Sequence, residues 1–81
     1  MFTVYILYSD TTERYYVGQT NDMVARLQRH NSGQSVYTKH GQPWTLVYTA
    51  EFLNRSEAML SEKKIKKRGA SRFLNDMRTK G

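Results

Sequence analysis

Apolar, β-branched and aromatic residues fill the first segment of the chain, residues 2–8, almost without interruption. Such a run is typical of a strand that is covered on both faces. A polar break over residues 9–13 separates it from a second β-prone run over residues 14–18, so the two runs predict an antiparallel hairpin. In that hairpin, Tyr5 and Tyr16 are expected to come into contact across the strands.

A helical pattern covers residues 21–31. Thr20 or Asn21 is expected to cap its N-terminus. The apolar face of this helix is predicted to consist of Met23, Val24 and Leu27. Arg26 and His30 lie four residues apart on one side of that face, so we expect Arg26 to point toward the edge of the sheet instead of straight into solvent.

No periodicity is visible over residues 32–43, and a loop of this length in a small domain is typically functional or mobile. Its side chains that could contact a phosphate or a base are Tyr37, Thr38, Lys39 and His40. Pro43, the only proline, closes the loop before a third predicted strand over residues 44–50.

The strongest helix pattern covers residues 54–68. Asn54, followed three residues later by Glu57, has the spacing of a capping box. The apolar contacts of this helix are assigned to Ala58, Met59, Leu60 and Ile65. Gly69 is expected to end it, and Ser71 to cap a last short helix. The apolar residues of that last helix are Phe73, Leu74 and Met77.

Glu62 has no capping role and falls on the stripe that should face the sheet, between Ala58 and Ile65. A carboxylate in that position is partly removed from water. It therefore requires a cation, a metal ion or hydrogen-bond donors.

The order of elements is β-β-α-β-α-α. It predicts an α+β fold in which a three-stranded, mainly antiparallel sheet carries flanking helices. With 81 residues, we expect a single domain over residues 1–81 whose last few residues are frayed.

The composition excludes several classes of protein. The chain has no Cys and two His, which excludes disulfides, a Cys-based metal site and, in practice, a structural zinc site. It shows neither a basic-then-apolar leader nor an apolar run near the ~20 residues that cross a membrane. We therefore expect a cytoplasmic protein with no membrane partner.

The formal net charge of +6 resides in the last third of the chain. Before residue 55 four basic and four acidic residues cancel, whereas nine basic residues face three acidic residues afterwards. A polyanion is a natural partner for such a surface, because each Lys or Arg near a phosphate releases condensed counterions. Charge alone also allows a solvated basic helix that serves only solubility.

Two tyrosines, an arginine, a histidine and one inward carboxylate suit phosphodiester hydrolysis. The reaction needs a group that takes a proton from water, positive charge on the phosphorane oxygens and a cation on the leaving oxygen. Arg26 has the fork geometry for a phosphate, and Glu62 is a hard oxygen ligand suited to Mg²⁺ or Mn²⁺. A tyrosine, with an ordinary pKa of about 10, acts as a base only where cations lower that value.

At these positions the sequence resembles the GIY-YIG nuclease domain, in particular its minimal stand-alone bacterial members. Val4-Tyr5-Ile6 stands at the first signature triplet and Tyr16-Val17-Gly18 at the second. The resemblance continues through Gly18-Gln19-Thr20, Arg26, His30, Ser56-Glu57-Ala58 and Glu62, and so covers nearly the whole chain in order. The first triplet lacks the leading glycine of the family pattern but keeps its tyrosine.

The resemblance implies a metal-dependent endonuclease. Glu62 would hold a single divalent metal ion, Mg²⁺ or Mn²⁺, and Arg26 would stabilise charge on the scissile phosphate. Tyr16 would be the leading candidate to activate water, with Tyr5 as its partner or as a competitor for the role. His30 would either assist proton transfer or orient Tyr5.

Nucleic-acid contacts are expected beside this catalytic set. They are assigned to Gln19, Lys39, His40, Lys63, Lys66, Lys67 and Arg68. Many relatives also carry a C-terminal asparagine near the metal site, for which Asn75 is the candidate here, slightly out of register. Family analogy favours DNA over RNA, and the small basic face favours recognition of shape or of a junction over base readout.

Two other functions stay open. The domain could bind nucleic acid with little or no turnover unless a targeting protein is present, or its basic helix could bind an acidic protein. An inward carboxylate, which repels phosphate, argues against a pure nucleic-acid binder. The oligomeric state is open between a monomer and a weak dimer, and a monomer with one metal ion would cut one strand per visit.

Overall fold

A computed structural model describes residues 1–79 of the chain. Its elements are β1 (Phe2–Ser9), β2 (Arg14–Thr20), α1 (Met23–Asn31), a 3-10 turn (Lys39–Gly41), β3 (Trp44–Phe52), α2 (Arg55–Arg68) and α3 (Ala70–Thr79). The three-stranded sheet and the order β-β-α-β-α-α confirm the predicted fold class. The expected fraying concerns the chain end, where residues 80 and 81 lie outside the described part.

β1 is the central strand of the sheet, which has the order β2-β1-β3 and is antiparallel throughout. Its alternating side chains serve two different layers. Val4 and Ile6 pack against α2 and α3, whereas Tyr5 and Leu7 pack against α1. All four are fully buried, and this double cover explains the continuous apolar run at the start of the sequence.

The register of the hairpin places the two tyrosines on the face that α1 covers. Gly18 lies opposite Tyr5, and Tyr16 lies opposite Leu7. The rings of Tyr5 and Tyr16 have centroids 6.2 Å apart, which confirms the expected cross-strand contact. Gln19 lies opposite Val4 and therefore faces the other layer, toward α2.

The N-cap of α1 is Asp22, so the prediction of Thr20 or Asn21 was wrong. The Asp22 carboxylate accepts a hydrogen bond from the Ala25 backbone N–H at 3.1 Å. Thr20 still belongs to β2, and its hydroxyl accepts a hydrogen bond from the Asp22 N–H at 3.0 Å. The N-cap of α1 therefore lies two residues after the end of β2.

The predicted apolar face of α1 was also wrong at Val24, which is 71% exposed. Met23 and Leu27 are half-buried against the Tyr5 layer, as expected. The arc of the helix that faces the sheet continues through His30, which is buried, instead of through Val24. A polar residue therefore occupies part of the contact that the apolar pattern had assigned to valine.

α2 begins as predicted, because the Asn54 side chain accepts a hydrogen bond from the Glu57 N–H at 2.9 Å. Ala58 and Ile65 are fully buried in the core. Met59 and Leu60 are 50% and 69% exposed, so their assignment to the core was wrong. At about 100° per residue, Leu60 lies on nearly the opposite side of the helix from Ala58.

α3 starts at Ala70, directly after Gly69, and the prediction of Ser71 as its cap was wrong. The Gly69 carbonyl already accepts a hydrogen bond from the Phe73 N–H at 2.9 Å, while the positive φ of Gly69 redirects the chain. Phe73 and Leu74 pack on the α2 side of the sheet as expected, whereas Met77 is 49% exposed. Within residues 1–79, no helix has the length and apolarity needed to cross a membrane.

Candidate active site

The hydroxyl of Tyr5 is the point at which the candidate catalytic side chains meet. The Tyr5 ring is fully buried and extends across β2 over Gly18. A Cβ at position 18 would lie 2.7 Å from Tyr5 Oη, so only glycine leaves room for the ring. Tyr5 Oη is 3.1 Å from His30 Nε2, and the Tyr16 and His30 rings have centroids 4.9 Å apart.

The pKa of Tyr5 reports which groups surround it. The pKa of the Tyr5 phenol is raised to about 12, mainly by burial and next by the neighbouring Tyr16 phenol. The Arg26 guanidinium acts in the opposite direction, and the Glu62 carboxylate adds a smaller increase. Tyr5 therefore keeps its proton at neutral pH and lies within the electrostatic reach of three other candidate residues.

His30 links this cluster to the loop that precedes β3. It is 2% exposed, and burial lowers the pKa of its imidazole, with further lowering by the positive charges of Arg26 and Arg29. His30 is therefore neutral at pH 7. Its Nδ1 lies 2.7 Å from the hydroxyl of Thr38.

Thr38 has a different environment from the one the sequence indicated. The loop pattern predicts a side chain that could contact a phosphate, but Thr38 is 1% exposed and its hydroxyl is hydrogen-bonded to His30. Its backbone carbonyl accepts a hydrogen bond from the Trp44 indole at 2.7 Å. Because residues 32–43 have no periodic pattern, nothing in the sequence marked Thr38 as buried.

Arg26 is half-buried near the end of β2, which agrees with the expected direction toward the edge of the sheet. It lines a cavity of ≈ 420 Å³ together with Gln19, Asn21 and Arg55. From this position its charge acts on both Tyr5 and His30.

Glu62 lies on the other side of Gln19, with 18% of its side chain exposed. The Gln19 amide donates a hydrogen bond to Glu62 Oε1 at 3.1 Å, and Lys66 Nζ lies 2.7 Å from Glu62 Oε2. Both carboxylate oxygens thus have the donor or cation that the sequence led us to expect. Gln19, assigned from the sequence to nucleic-acid binding, instead links the edge strand β2 to Glu62 on α2.

The donor set around Glu62 fits a hard divalent ion of the Mg²⁺ type. Among the residues that the structure describes, no three His, Cys, Asp or Glu side chains gather into a dedicated metal cage. Mg²⁺ is commonly bound through one or two carboxylates while water and substrate phosphates complete its shell. Glu62 offers one such carboxylate. The Lys66 ammonium, 2.7 Å from Glu62 Oε2, occupies a position next to that oxygen in which a cation fits.

Four of the basic residues assigned to nucleic acid line two separate grooves. Lys66 and Arg68 line a groove of ≈ 680 Å³ together with Tyr16 and Arg72. Arg68 also donates two hydrogen bonds, at 2.8 and 2.9 Å, to the carboxylate of Asp76.

Other assigned residues lie elsewhere on the surface. Lys63 and Lys67 line a second groove on the outer side of α2, next to the exposed Leu60. Lys39 and His40 are exposed on the 3-10 turn. Asn75 lines a cavity of ≈ 310 Å³ formed by β2 and α3 residues, beside Tyr15 and Arg78.

Comparison with known proteins places this chain in a family. The family model of the GIY-YIG catalytic domain matches residues 1–75. The UPF0213 protein VNG_2274C of Halobacterium salinarum is 43% identical over 68 residues, which cover 82% of this chain and 86% of that protein. The UPF0213 protein OB0043 of Oceanobacillus iheyensis is 42% identical over 52 residues, which cover 63% of this chain.

A solved structure agrees with the sequence matches. The solution NMR structure of the UPF0213 protein BH0048 from Bacillus halodurans superposes with a TM-score of 0.59 at 32% identity, covering 100% of this chain and 87% of that one. The matched segment spans only 60% of the length of the Oceanobacillus protein. The names of these relatives state no activity, whereas GIY-YIG domains in general are nucleases. On the match over residues 1–75 and the likeness of fold, the chain belongs to the GIY-YIG catalytic domain family.

Proposed function

We propose that the protein is a metal-dependent endonuclease that hydrolyses phosphodiester bonds in DNA and is directed by backbone shape or by a junction. The observation that carries this proposal is the convergence at the Tyr5 hydroxyl. His30 lies within 3.1 Å of it, and the charges of Arg26 and Glu62 both act on it. Tyr5 and His30 also pack in the core, but packing does not require these groups to converge on one hydroxyl, and together they suit phosphoryl transfer.

Tyr16 is the better candidate to take a proton from the attacking water. Tyr5 is fully buried and its pKa is raised to about 12, so it stays protonated and serves as a hydrogen-bonding group. Tyr16 is half-buried and lines an open groove, so water reaches it. The nearby Tyr16 phenol is one of the groups that raise the pKa of Tyr5, which further keeps Tyr5 protonated.

Arg26 is proposed to bind the scissile phosphate. Its planar fork can donate to two phosphate oxygens at once, and it stabilises the charge that grows on them during attack. The cavity that it lines lies at the end of β2 and includes Gln19, whose amide donates to Glu62. Arg55, in the same cavity, adds a second positive charge for the phosphate.

Glu62 is proposed to hold the divalent ion, Mg²⁺ or Mn²⁺, with Gln19 orienting the carboxylate. When bound, the ion would stabilise negative charge on the leaving oxygen. Lys66 must leave Glu62 Oε2 for that binding to occur, and the adjoining groove with Arg68 and Arg72 offers it a second position next to DNA phosphates.

A nucleic-acid substrate is supported by the groove that contains Lys66, Arg68 and Arg72, because Tyr16 also lines it; the choice of DNA over RNA follows the family analogy. Phosphates along this path would hold the strand without any contact to base edges, which favours shape recognition. A monomer with one such centre would cut a single strand per encounter.

The test is cleavage of labelled single-stranded, duplex, flap and branched DNA, with matching RNA, in Mg²⁺, Mn²⁺ and EDTA. We expect cutting of DNA that requires a divalent ion and prefers branched or flap substrates. Cutting that continues in EDTA would contradict the metal requirement, and cutting of RNA alone would contradict the assignment of DNA. Salt-sensitive binding without cleavage in any ion would instead favour a nucleic-acid-binding module that needs a partner protein for turnover.

A further inference from the structure

Thr38 is held in place by its backbone, independently of its side chain. Its carbonyl accepts hydrogen bonds from the Trp44 indole at 2.7 Å and from the Gly41 N–H at 3.0 Å. Trp44 is itself fixed, since its backbone N–H donates to Asn31 Oδ1 at 2.6 Å and its carbonyl accepts from Asn31 Nδ2 at 3.1 Å. The hydroxyl of Thr38 therefore has a defined position 2.7 Å from His30 Nδ1.

The three groups Thr38, His30 and Tyr5 form a chain of hydrogen bonds with one unused hydrogen. A neutral imidazole carries one N–H, and each hydroxyl carries one O–H, so three hydrogens serve two contacts. Either the threonine or the tyrosine end of the chain must direct its hydrogen elsewhere. The tautomer of His30 decides which end does so.

The two ends have different surroundings. Within residues 1–79, the Thr38 hydroxyl has His30 Nδ1 as its one hydrogen-bond partner, and the residue is 1% exposed. A hydroxyl hydrogen directed away from His30 would be buried without an acceptor, which is destabilising. Tyr5 is also fully buried, but its hydroxyl lies among the side chains of the candidate site, where Arg26 and Glu62 both act on it and where an oxygen of a bound substrate would accept its hydrogen bond.

We propose that Thr38 is a positioning residue that fixes His30 in the tautomer protonated at Nε2. The Thr38 hydroxyl donates to Nδ1, and Nε2–H donates to Tyr5 Oη. Tyr5 consequently keeps its own O–H free to donate into the candidate site. Only the catalytic use of the Tyr5 O–H rests on the proposed function. The tautomer of His30 is a property of the free protein.

The test is the imidazole region of a long-range ¹H–¹⁵N correlation spectrum of the ¹⁵N-labelled chain. The sequence contains only two histidines, so His40 provides an internal reference and His40→Gln assigns the His30 signals. At about pH 8.5, two units above the ordinary histidine pKa of about 6.5, we expect His30 to show a pyrrole-type Nε2 and a pyridine-type Nδ1. The exposed His40 should show averaged shifts. A wild-type spectrum with the proton on Nδ1 of His30 would overturn the proposal.

Matched variants separate positioning from folding. Thr38→Ser keeps the hydroxyl and should keep the His30 pattern, whereas Thr38→Val replaces the hydroxyl by a methyl group and should move both His30 nitrogens toward averaged shifts. The backbone amide spectrum verifies that each variant is folded. An unchanged His30 pattern in folded Thr38→Val would also overturn the proposal.

Cleavage assays with the same variants separate this inference from the proposed function. We expect Thr38→Val to lower the single-turnover rate by about 10-fold or more and Thr38→Ser to restore most of it, since a misplaced group in a catalytic cluster is costly. If the chain cuts no nucleic acid at all, the tautomer measurement still decides the role of Thr38. If it cuts but His30 is protonated at Nδ1, only the positioning role fails.

Discussion

Replacing Gly18 by alanine tests whether the site depends on the passage of the Tyr5 ring across β2. The added Cβ would lie 2.7 Å from Tyr5 Oη, 2.9 Å from Tyr5 Cζ and 3.1 Å from Tyr16 Cε1. Relaxed carbon contacts need about 3.5–4.0 Å, so the end of the Tyr5 ring must move by about 1 Å. A shift of that size takes the Tyr5–His30 contact, now 3.1 Å, out of hydrogen-bond geometry.

The expected cost follows from these contacts. Overpacking in a close-packed core costs about 1–3 kcal/mol, and loss of one buried hydrogen bond adds about 1 kcal/mol. For a domain of this size, such a loss lowers Tm by about 10–30 °C. Urea unfolding followed by circular dichroism measures the stability, and single-turnover cleavage by the folded variant measures the effect on the site, which we expect to exceed 10-fold.

Gly33→Ala is the matched control for Gly18→Ala. A Cβ at position 33 would meet only the end of the Gln42 side chain, at 2.9 Å from Nε2, but the φ of +80° at this position strains any other residue by about 1–3 kcal/mol. It should therefore lose comparable stability while the folded protein keeps its cleavage rate. A Gly18→Ala protein with wild-type stability and wild-type cleavage would refute the reasoning about Tyr5.

Three further predictions concern the charged and titrating groups. Lys66→Met should raise Mn²⁺ affinity about 1.4- to 5-fold in electron paramagnetic resonance titrations, because an ammonium no longer competes for Glu62. The free energy of unfolding should fall as the pH drops below about 6.5, because the pKa of buried His30 is lowered, so that the unfolded chain binds a proton that the folded chain does not. In single-turnover cleavage, Tyr16→Phe should lose about 100-fold in rate, and Tyr5→Phe should lose less.

Each of these predictions has a control and a contradicting outcome. Lys67 lines the groove on the outer side of α2, so Lys67→Met should leave Mn²⁺ affinity unchanged. An equal gain of affinity in both lysine variants would show that Lys66 does not compete with Mn²⁺ for the Glu62 carboxylate. His30→Gln should remove the loss of stability near pH 6, while His40→Gln should retain it. A larger loss of rate in Tyr5→Phe than in Tyr16→Phe would reverse the proposed assignment of the base.

Much of the fold was predictable because local patterns and tertiary structure agree. The continuous apolar run of β1 is a direct result of its central position between two helical layers. Asn54 caps α2 as its spacing to Glu57 indicated. The errors at Val24 and Leu60 arose because apolar residues were assigned to the core by type, whereas a narrow sheet covers only a limited arc of each helix.

The candidate site was predictable in its members but not in its contacts. The position of Glu62 on the buried stripe showed that it needed a partner, yet only the fold identifies Gln19 and Lys66 as those partners. Thr38 was not predictable as part of the site, because a loop without periodicity gives no sign of which side chains turn inward. The register of β2 and the position of Gly18 determine where the Tyr5 hydroxyl lies.

The most direct test of the catalytic centre is the single-turnover cleavage rate of Glu62→Gln in Mg²⁺, compared with Glu51→Gln purified in the same way. Both changes replace a carboxylate by a nearly isosteric amide, but Glu51 is exposed on β3. We predict that Glu62→Gln loses about 3 kcal/mol or more of transition-state stabilisation, at least about 100-fold in rate, while Glu51→Gln cuts normally. Cleavage by Glu62→Gln within twofold of the parent would contradict the assignment of the centre.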